Sequence, residues 1–227
     1  MVAATVLVVI ASACGGTKAT STGPAPETAD QSLAATAAAF AKLGSYHMAV
    51  GAAKLRLSLD ASSGAEHAFQ TLVEPAPTGS VTFEYIEVGT HVYFHGLAFL
   101  RLQGVADRYP QVGSNWYLAT NTDGSSGLNT FLDPAKAAHC LIERHGALSF
   151  GETTTVNGVA AVAIVAAAGG AGSTPETFYL SADGHHTLMR VVQTGPTVNG
   201  GDSKDTCENI GADPQKAGSR VTIDFTQ

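Results

Sequence analysis

Two-residue alternation of apolar and polar side chains, repeated along the chain, most restricts how this sequence can fold. Leu55, Leu57 and Leu59 share one strand face, and Lys54, Arg56 and Ser58 the other. After Gly64 the chain returns over Ala68 to Val73, closed by Glu74-Pro75-Ala76-Pro77. Val81, Phe83 and Tyr85 alternate with Thr82 and Glu84, and His91 to His95 continues after a turn at Val88-Gly89-Thr90. Trp116 to Thr120 reads as a further strand. From Ala147 onward the pattern is all strand: Ser149–Val156, Val159–Ala167, Thr177–Ser181, Thr187–Gln193 and a last alternation of Val221, Ile223 and Phe225. Asn157-Gly158 and Asp183-Gly184 are hairpin signals. Strands follow one another through hairpins rather than helices, so the sheet is expected to be antiparallel, with about nine to eleven strands.

Two or three helices accompany them. Asp30 is read as the N-cap of a short helix carrying Leu33, Ala37, Phe40 and Ala41, stopped by Gly44. Leu97 to Val105 departs from the two-residue period and suits a short helix. Asp133-Pro134 opens the clearest one, running to about Arg144, with Ala138, Leu141 and Ile142 on its apolar side. The 227 residues suit one domain, long enough to bury a large core without metal. A net charge of −7 argues against nucleic acid as a partner.

The N-terminal stretch is not part of this pattern. Val2 to Ala13 is uncharged and nearly all apolar. As a helix it spans only ~18 Å, against ~30 Å for a bilayer core, which is the size of a signal-peptide apolar region. It ends in Ala11-Ser12-Ala13-Cys14-Gly15-Gly16, which resembles the lipobox of bacterial lipoproteins. The resemblance implies cleavage before Cys14 and acylation of that residue (palmitate and diacylglycerol). Ala11 stands where Leu is usual, and no Lys or Arg precedes Lys18, so the translation start is expected to lie upstream. The alternative is a buried strand that happens to end in Cys. Thr17 to Thr28 (TKATSTGPAPET) reads as a flexible tether. The expected organisation is residues 1–13 as a signal remnant, 14–29 as lipobox cysteine and tether, and 30–227 as one folded domain.

With Cys14 lipidated, Cys140 and Cys207 remain, and an oxidising extracytoplasmic space favours a bridge between them. Closing that loop of ~66 residues stabilises by roughly 4 kcal/mol in the chain-entropy view. Two free thiols are the alternative reading.

The order of elements is itself informative. An N-terminal helix precedes a meander, then Thr90-His91-Val92-Tyr93-Phe94-His95-Gly96, then Asn115-Trp116-Tyr117-Leu118 and a capped helix. Val156-Asn157-Gly158-Val159-Ala160 and Phe178-Tyr179-Leu180-Ser181-Ala182-Asp183-Gly184 follow. Over residues 30–227 this resembles the LolA/LppX-like superfamily of bacterial extracytoplasmic lipoproteins, in its actinobacterial lipoprotein branch. The resemblance implies an α+β fold: a strongly curved antiparallel half-barrel with two or three helices on its concave side. It implies a membrane-anchored envelope protein whose apolar cavity accommodates a lipid or glycolipid, and it carries no catalytic residues.

The residues themselves point to no chemistry that would compete with this. His91 and His95 lie ~13 Å apart along a strand, too far to share an ion, and His185-His186 point to opposite faces. Neither His139 nor His145 has helical ligand spacing, so no metal site and no cofactor are assigned. No nucleophile elbow, zinc-protease motif or phosphate loop is present, and the chain is not read as an enzyme. Glu84, Glu87 and Asp224 are placed on polar, solvated strand faces, and Gly169-Gly170-Ala171-Gly172 is read as a flexible loop. Leu33, Phe40, Leu57, Phe83, Tyr85, Phe99, Trp116, Phe131 and Leu141 are the candidates to line an apolar space. The alternative function is an interaction or sensor module whose core is filled; the sequence leaves the oligomeric state open.

Overall fold

The computed structural model of the chain describes residues 27–52, 55–62, 65–72, 79–119, 133–169, 175–195 and 220–226. The expectations for Cys14, for Cys207 and for Phe131 fall outside them.

Eleven strands form one antiparallel sheet: β1 (Ser45–Gly51), β2 (Leu55–Ser62), β3 (Ala65–Leu72), β4 (Val81–Val88), β5 (His91–His95), β6 (Trp116–Ala119), β7 (Leu148–Val156), β8 (Val159–Ala166), β9 (Glu176–Ser181), β10 (Leu188–Thr194) and β11 (Arg220–Thr226). Their order is β6-β5-β4-β3-β2-β1-β11-β10-β9-β8-β7, so the sheet stays open with β6 and β7 at its edges. Two meanders therefore meet in the middle, where β1 pairs with the distant β11. This is the expected α+β half-barrel.

β1 carries little apolar–polar alternation in its sequence. Tyr46, Met48 and Val50 alternate inward, but their outward neighbours His47, Ala49 and Gly51 are too small or too ambiguous to mark a polar face. At Asn157-Gly158 the two residues take φ 51° and 85°, the paired left-handed conformation of a tight hairpin. Asp183-Gly184 instead turns through a longer loop. Ser181 Oγ donates to Asp183 Oδ1 at 2.6 Å, the His185 amide donates to the same oxygen at 3.0 Å, and the register shifts between Leu188 and Arg190.

Among the described residues, three α-helices accompany the sheet. α1 (Ala29–Phe40) is capped by Thr28, not by Asp30. The Gln31 amide donates to Thr28 Oγ1 and the Thr28 amide donates back to Gln31 Oε1, so Thr-x-x-Gln is the capping box that fixes this end. Asp30 sits in the first turn, where its charge suits the helix dipole. α2 (Ala98–Leu102) packs on β4 and β5. α3 (Pro134–Ala138) is capped by Asp133 Oδ1, which accepts from the Ala135 amide at 2.9 Å, and continues as a π-helical turn over His139–Glu143. None of these described helices is long and apolar enough to cross a membrane.

One face of the sheet is buried. Leu33, Ala37 and Phe40 of α1 join Met48, Val50, Leu57, Leu59, Phe178, Ile223 and Phe225 in a single cluster. Phe40 meets Tyr46 of the first strand at 5.0 Å and Phe225 of the last at 5.5 Å, so this ring lies over the seam where the meanders join.

Candidate functional site

The register defines what lines the buried face. One row runs Ile164, Phe178, Val191, Ile223, Val50 and Leu57 across β8 to β2, and Phe150, the partner of Ile164 on the edge strand β7, is 48 % exposed. The next runs Phe225, Met48, Leu59, Ala68, Tyr85, Phe94 and Tyr117 across β11 to β6. Six of the expected lining residues (Leu33, Phe40, Leu57, Phe83, Tyr85 and Leu141) belong to one buried cluster, and Phe99 packs against it half-buried.

Trp116 does not. It is 41 % exposed and stacks on the His95 ring at 4.9 Å. The reason is phase: Tyr117, directly opposite Phe94, takes the inner position on β6 and leaves Trp116 on the outer face.

The inner face over β4 to β6 is aromatic. Phe94 and Phe99 stack at 4.0 Å and 8°, Phe83 meets Phe99 at 5.3 Å, and Tyr117 lies 5.9 Å from Phe94. Phe94, Phe99 and Tyr117 are only half-buried. Burial pushes the Tyr117 phenol up to about 12.

At the end of the same strands lies a polar row that the sequence reading missed. Tyr46, Ala61, Glu66, Glu87 and Val92 are consecutive cross-strand partners, with Tyr85 diagonal to Glu66. Glu66 is 2 % exposed and Glu87 1 %. Glu87 therefore does not lie on a solvated face: two residues beyond Tyr85, it shares that residue's inward phase. Glu66 stands in the same relation to Ala68, and that phase was its signal. Burial, and then the facing Glu87, lift the Glu66 carboxyl to about 8, while the Tyr85 hydroxyl opposes the shift. Burial, then Glu66 and Glu87, raise the Tyr85 phenol far above its ordinary range. Although these two groups are neighbours, neither Glu66 oxygen nor the Tyr85 hydroxyl reaches a partner at hydrogen-bonding geometry.

The outer face holds ion pairs. Glu84 is clamped between His67 Nε2 at 2.8 Å and His95 Nδ1 at 2.9 Å. The His67 hydrogen bond is the main cause that holds its carboxyl below the usual range, with His95 adding to it. Asp224 accepts from Arg190 Nε at 2.5 Å, so this carboxylate is paired rather than simply solvated. His47 meets Asp60 at 2.8 Å and His139 meets Glu143 at 2.9 Å. His91 stacks on Tyr93, His145 approaches the Gly146 carbonyl, and His186 approaches Glu27. Among the described residues no three His, Cys, Asp or Glu side chains are grouped to hold a metal ion.

Two surface pockets flank the core. One, of about 480 Å³, lies at the ends of β1 to β3 and is lined by Tyr46, Glu66, His47, Asp60 and His67 among others. The other, of about 430 Å³, lies between α1 and the π-helical turn, beside Leu33, Ala37, Ile142 and His145.

No protein-family model matches the sequence, and no curated protein sequence matches it. Solved structures do resemble the fold. LprF from Mycobacterium bovis superposes with a TM-score of 0.55 at 14 % identity, covering 88 % of this chain and 91 % of that one. The Mycobacterium tuberculosis lipoprotein LppX gives 0.49 at 12 % identity, covering 86 % and 91 %. A LolA superfamily protein from Nitrosomonas europaea gives 0.26 at 12 % identity, covering 88 % and 92 %. With LprF the likeness extends over nearly the whole of both chains: the chain shares the fold of that protein.

Proposed function

We propose that this chain is a cell-envelope lipoprotein that binds or carries a lipid or another amphiphile against the inner face of its sheet, and that it acts as a binder rather than an enzyme. The observation that carries this reading is the mismatch between that face and its cover. Eleven strands spaced at ~4.8 Å make a sheet on the order of 50 Å broad, whereas the twelve residues of α1 span ~18 Å. The half-buried Phe94 and Tyr117 lie on the part that α2 covers with five residues, one of them the half-buried Phe99. An acyl chain laid there gains about 0.8 kcal/mol per buried CH₂.

Acylation of Cys14 would hold the domain at the membrane through the Thr17–Thr28 tether. A Cys140–Cys207 bridge would tie the half-buried Cys140 of the π-helical turn to the segment before β11.

Native mass spectrometry of the full chain carrying Cys14→Ala tests the ligand. Co-purifying lipid of defined mass is expected. A clean unliganded mass under gentle conditions, together with no uptake of added lipid, overturns the reading and favours a filled-core interaction module. Cys14→Ala is also expected to release the protein from the membrane fraction; retention would refute the anchor. Non-reducing peptide mapping should recover a linked Cys140–Cys207 peptide, and alkylation of both thiols without reductant would exclude it.

A further inference from the structure

Buried polar atoms without partners are rare in folded proteins, and each one calls for an explanation. Here three such atoms converge on the inner face: both carboxyl oxygens of Glu66 and the hydroxyl of Tyr85. Glu66 is 2 % exposed and Tyr85 fully buried. A structural role alone explains them poorly, because a Leu at either position would avoid the desolvation cost.

The neighbours define what could satisfy them. Glu87 is directly opposite Glu66, and Tyr46 lies beyond the small Ala61 in the same row. The site is thus rich in acceptors and carboxyl groups. An anionic headgroup, such as a fatty-acid carboxylate or a phosphate, would add a third acidic group to a buried row in which Glu66 and Glu87 already oppose each other. A buried ammonium would pay heavily for losing water. A hydroxyl pays neither cost: it donates to a carboxyl oxygen and accepts from the phenol. Glu66 and Tyr46 also line the 480 Å³ pocket at the strand ends, so the row borders solvent-accessible space.

We propose that Glu66 and Tyr85 form the headgroup site of the ligand-binding face, and that they select an amphiphile with an uncharged hydroxyl headgroup over one with an anionic headgroup. This rests on the amphiphile-binding reading given above.

The test compares equilibrium binding of decanol and decanoate, two probes of equal chain length, to the full chain carrying Cys14→Ala at neutral pH. Decanol is expected to bind about tenfold more tightly or better. Glu66→Leu should cut that preference to about threefold or less without weakening decanoate binding. Glu66→Gln keeps hydrogen-bonding atoms at the position and should retain tight decanol binding. Tyr85→Phe removes only the hydroxyl and should also lower the preference, which keeps the assignment testable if Glu66→Leu does not fold. Equal binding of the two probes, or a preference that survives both Glu66→Leu and Tyr85→Phe, overturns the headgroup site and leaves an internal Tyr85–Glu66 contact as its only role. Failure of both probes to bind overturns the amphiphile reading itself, and this site with it.

Discussion

Glu66 and Glu87 face each other across β3 and β4, directly opposed in register, with both side chains on the buried side of the sheet. Two carboxylates in that position repel if both ionise. Burial and the neighbouring acid keep Glu66 protonated up to about 8.

This has a definite sign for stability. The folded state holds the Glu66 proton more tightly than the unfolded chain, whose carboxyl titrates near 4.5. Below that value Glu66 carries no penalty; between about 4.5 and about 8 the penalty grows, and above about 8 it is complete. Glu66→Gln should therefore melt at a higher temperature than the parent in mildly alkaline buffer, with the difference shrinking on acidification. An equal difference at every pH would show that Glu66 ionises normally.

Gly146, just before β7, and Gly169, just after β8, bring two backbone segments together. A Cβ on Gly169 would sit 2.1 Å from Gly146 Cα, and one on Gly146 would sit 2.5 Å from the Ala167 carbonyl. Gly169→Ala should cost about 1–3 kcal/mol in chemical unfolding, since backbone rather than a mobile side chain must move. Gly44→Ala, with open space around the site, should be neutral or slightly stabilising. Equal effects of the two substitutions would refute the close approach.

Phe40 touches both the first and the last strand of the sheet. Phe40→Ala removes a 1 % exposed ring and should destabilise by about 3–5 kcal/mol. Urea unfolding should show a lower midpoint with an unchanged slope. A loss below about 1 kcal/mol would mean that the seam does not depend on α1.

Glu84 accepts from two histidines on a partly exposed face. Because its pKa is lowered, the stabilisation is present above the ordinary carboxylate range and disappears as pH falls through the folded value. Glu84→Ala should cost less than about 1 kcal/mol at neutral pH and low salt, and less again at high salt. A salt-independent cost would point to packing instead of charge.

Much of the architecture is legible in local pattern. Alternation marks β2, β4 and β11, because a strand buried on one side carries its apolar residues at period two, and turn signals and apolar runs mark seven more. Asn157-Gly158 marks its own turn, since few other dipeptides adopt two left-handed conformations in succession. Of the expected lining residues, Leu57, Phe83 and Tyr85 join the buried cluster through that strand period, and Leu33, Phe40 and Leu141 join it from helical segments. The exceptions are equally physical. Trp116 is a lining candidate from its sequence, but the phase of a four-residue edge strand puts Tyr117 on the inner face instead. Charge alone suggests an outward place for Glu66 and Glu87, while their phase puts them inside.

By itself the sequence determined that this chain is a string of hairpins with a few short capped helices, because those choices are made within a few residues. The pairing of β1 with β11, the seating of Phe40 over that seam, the contact of Gly146 with Gly169 and the opposition of Glu66 to Glu87 were decided only by tertiary structure. Each depends on the register between strands or loops far apart in the chain or on which face a row presents, and a single-residue change of register reverses every inward and outward assignment.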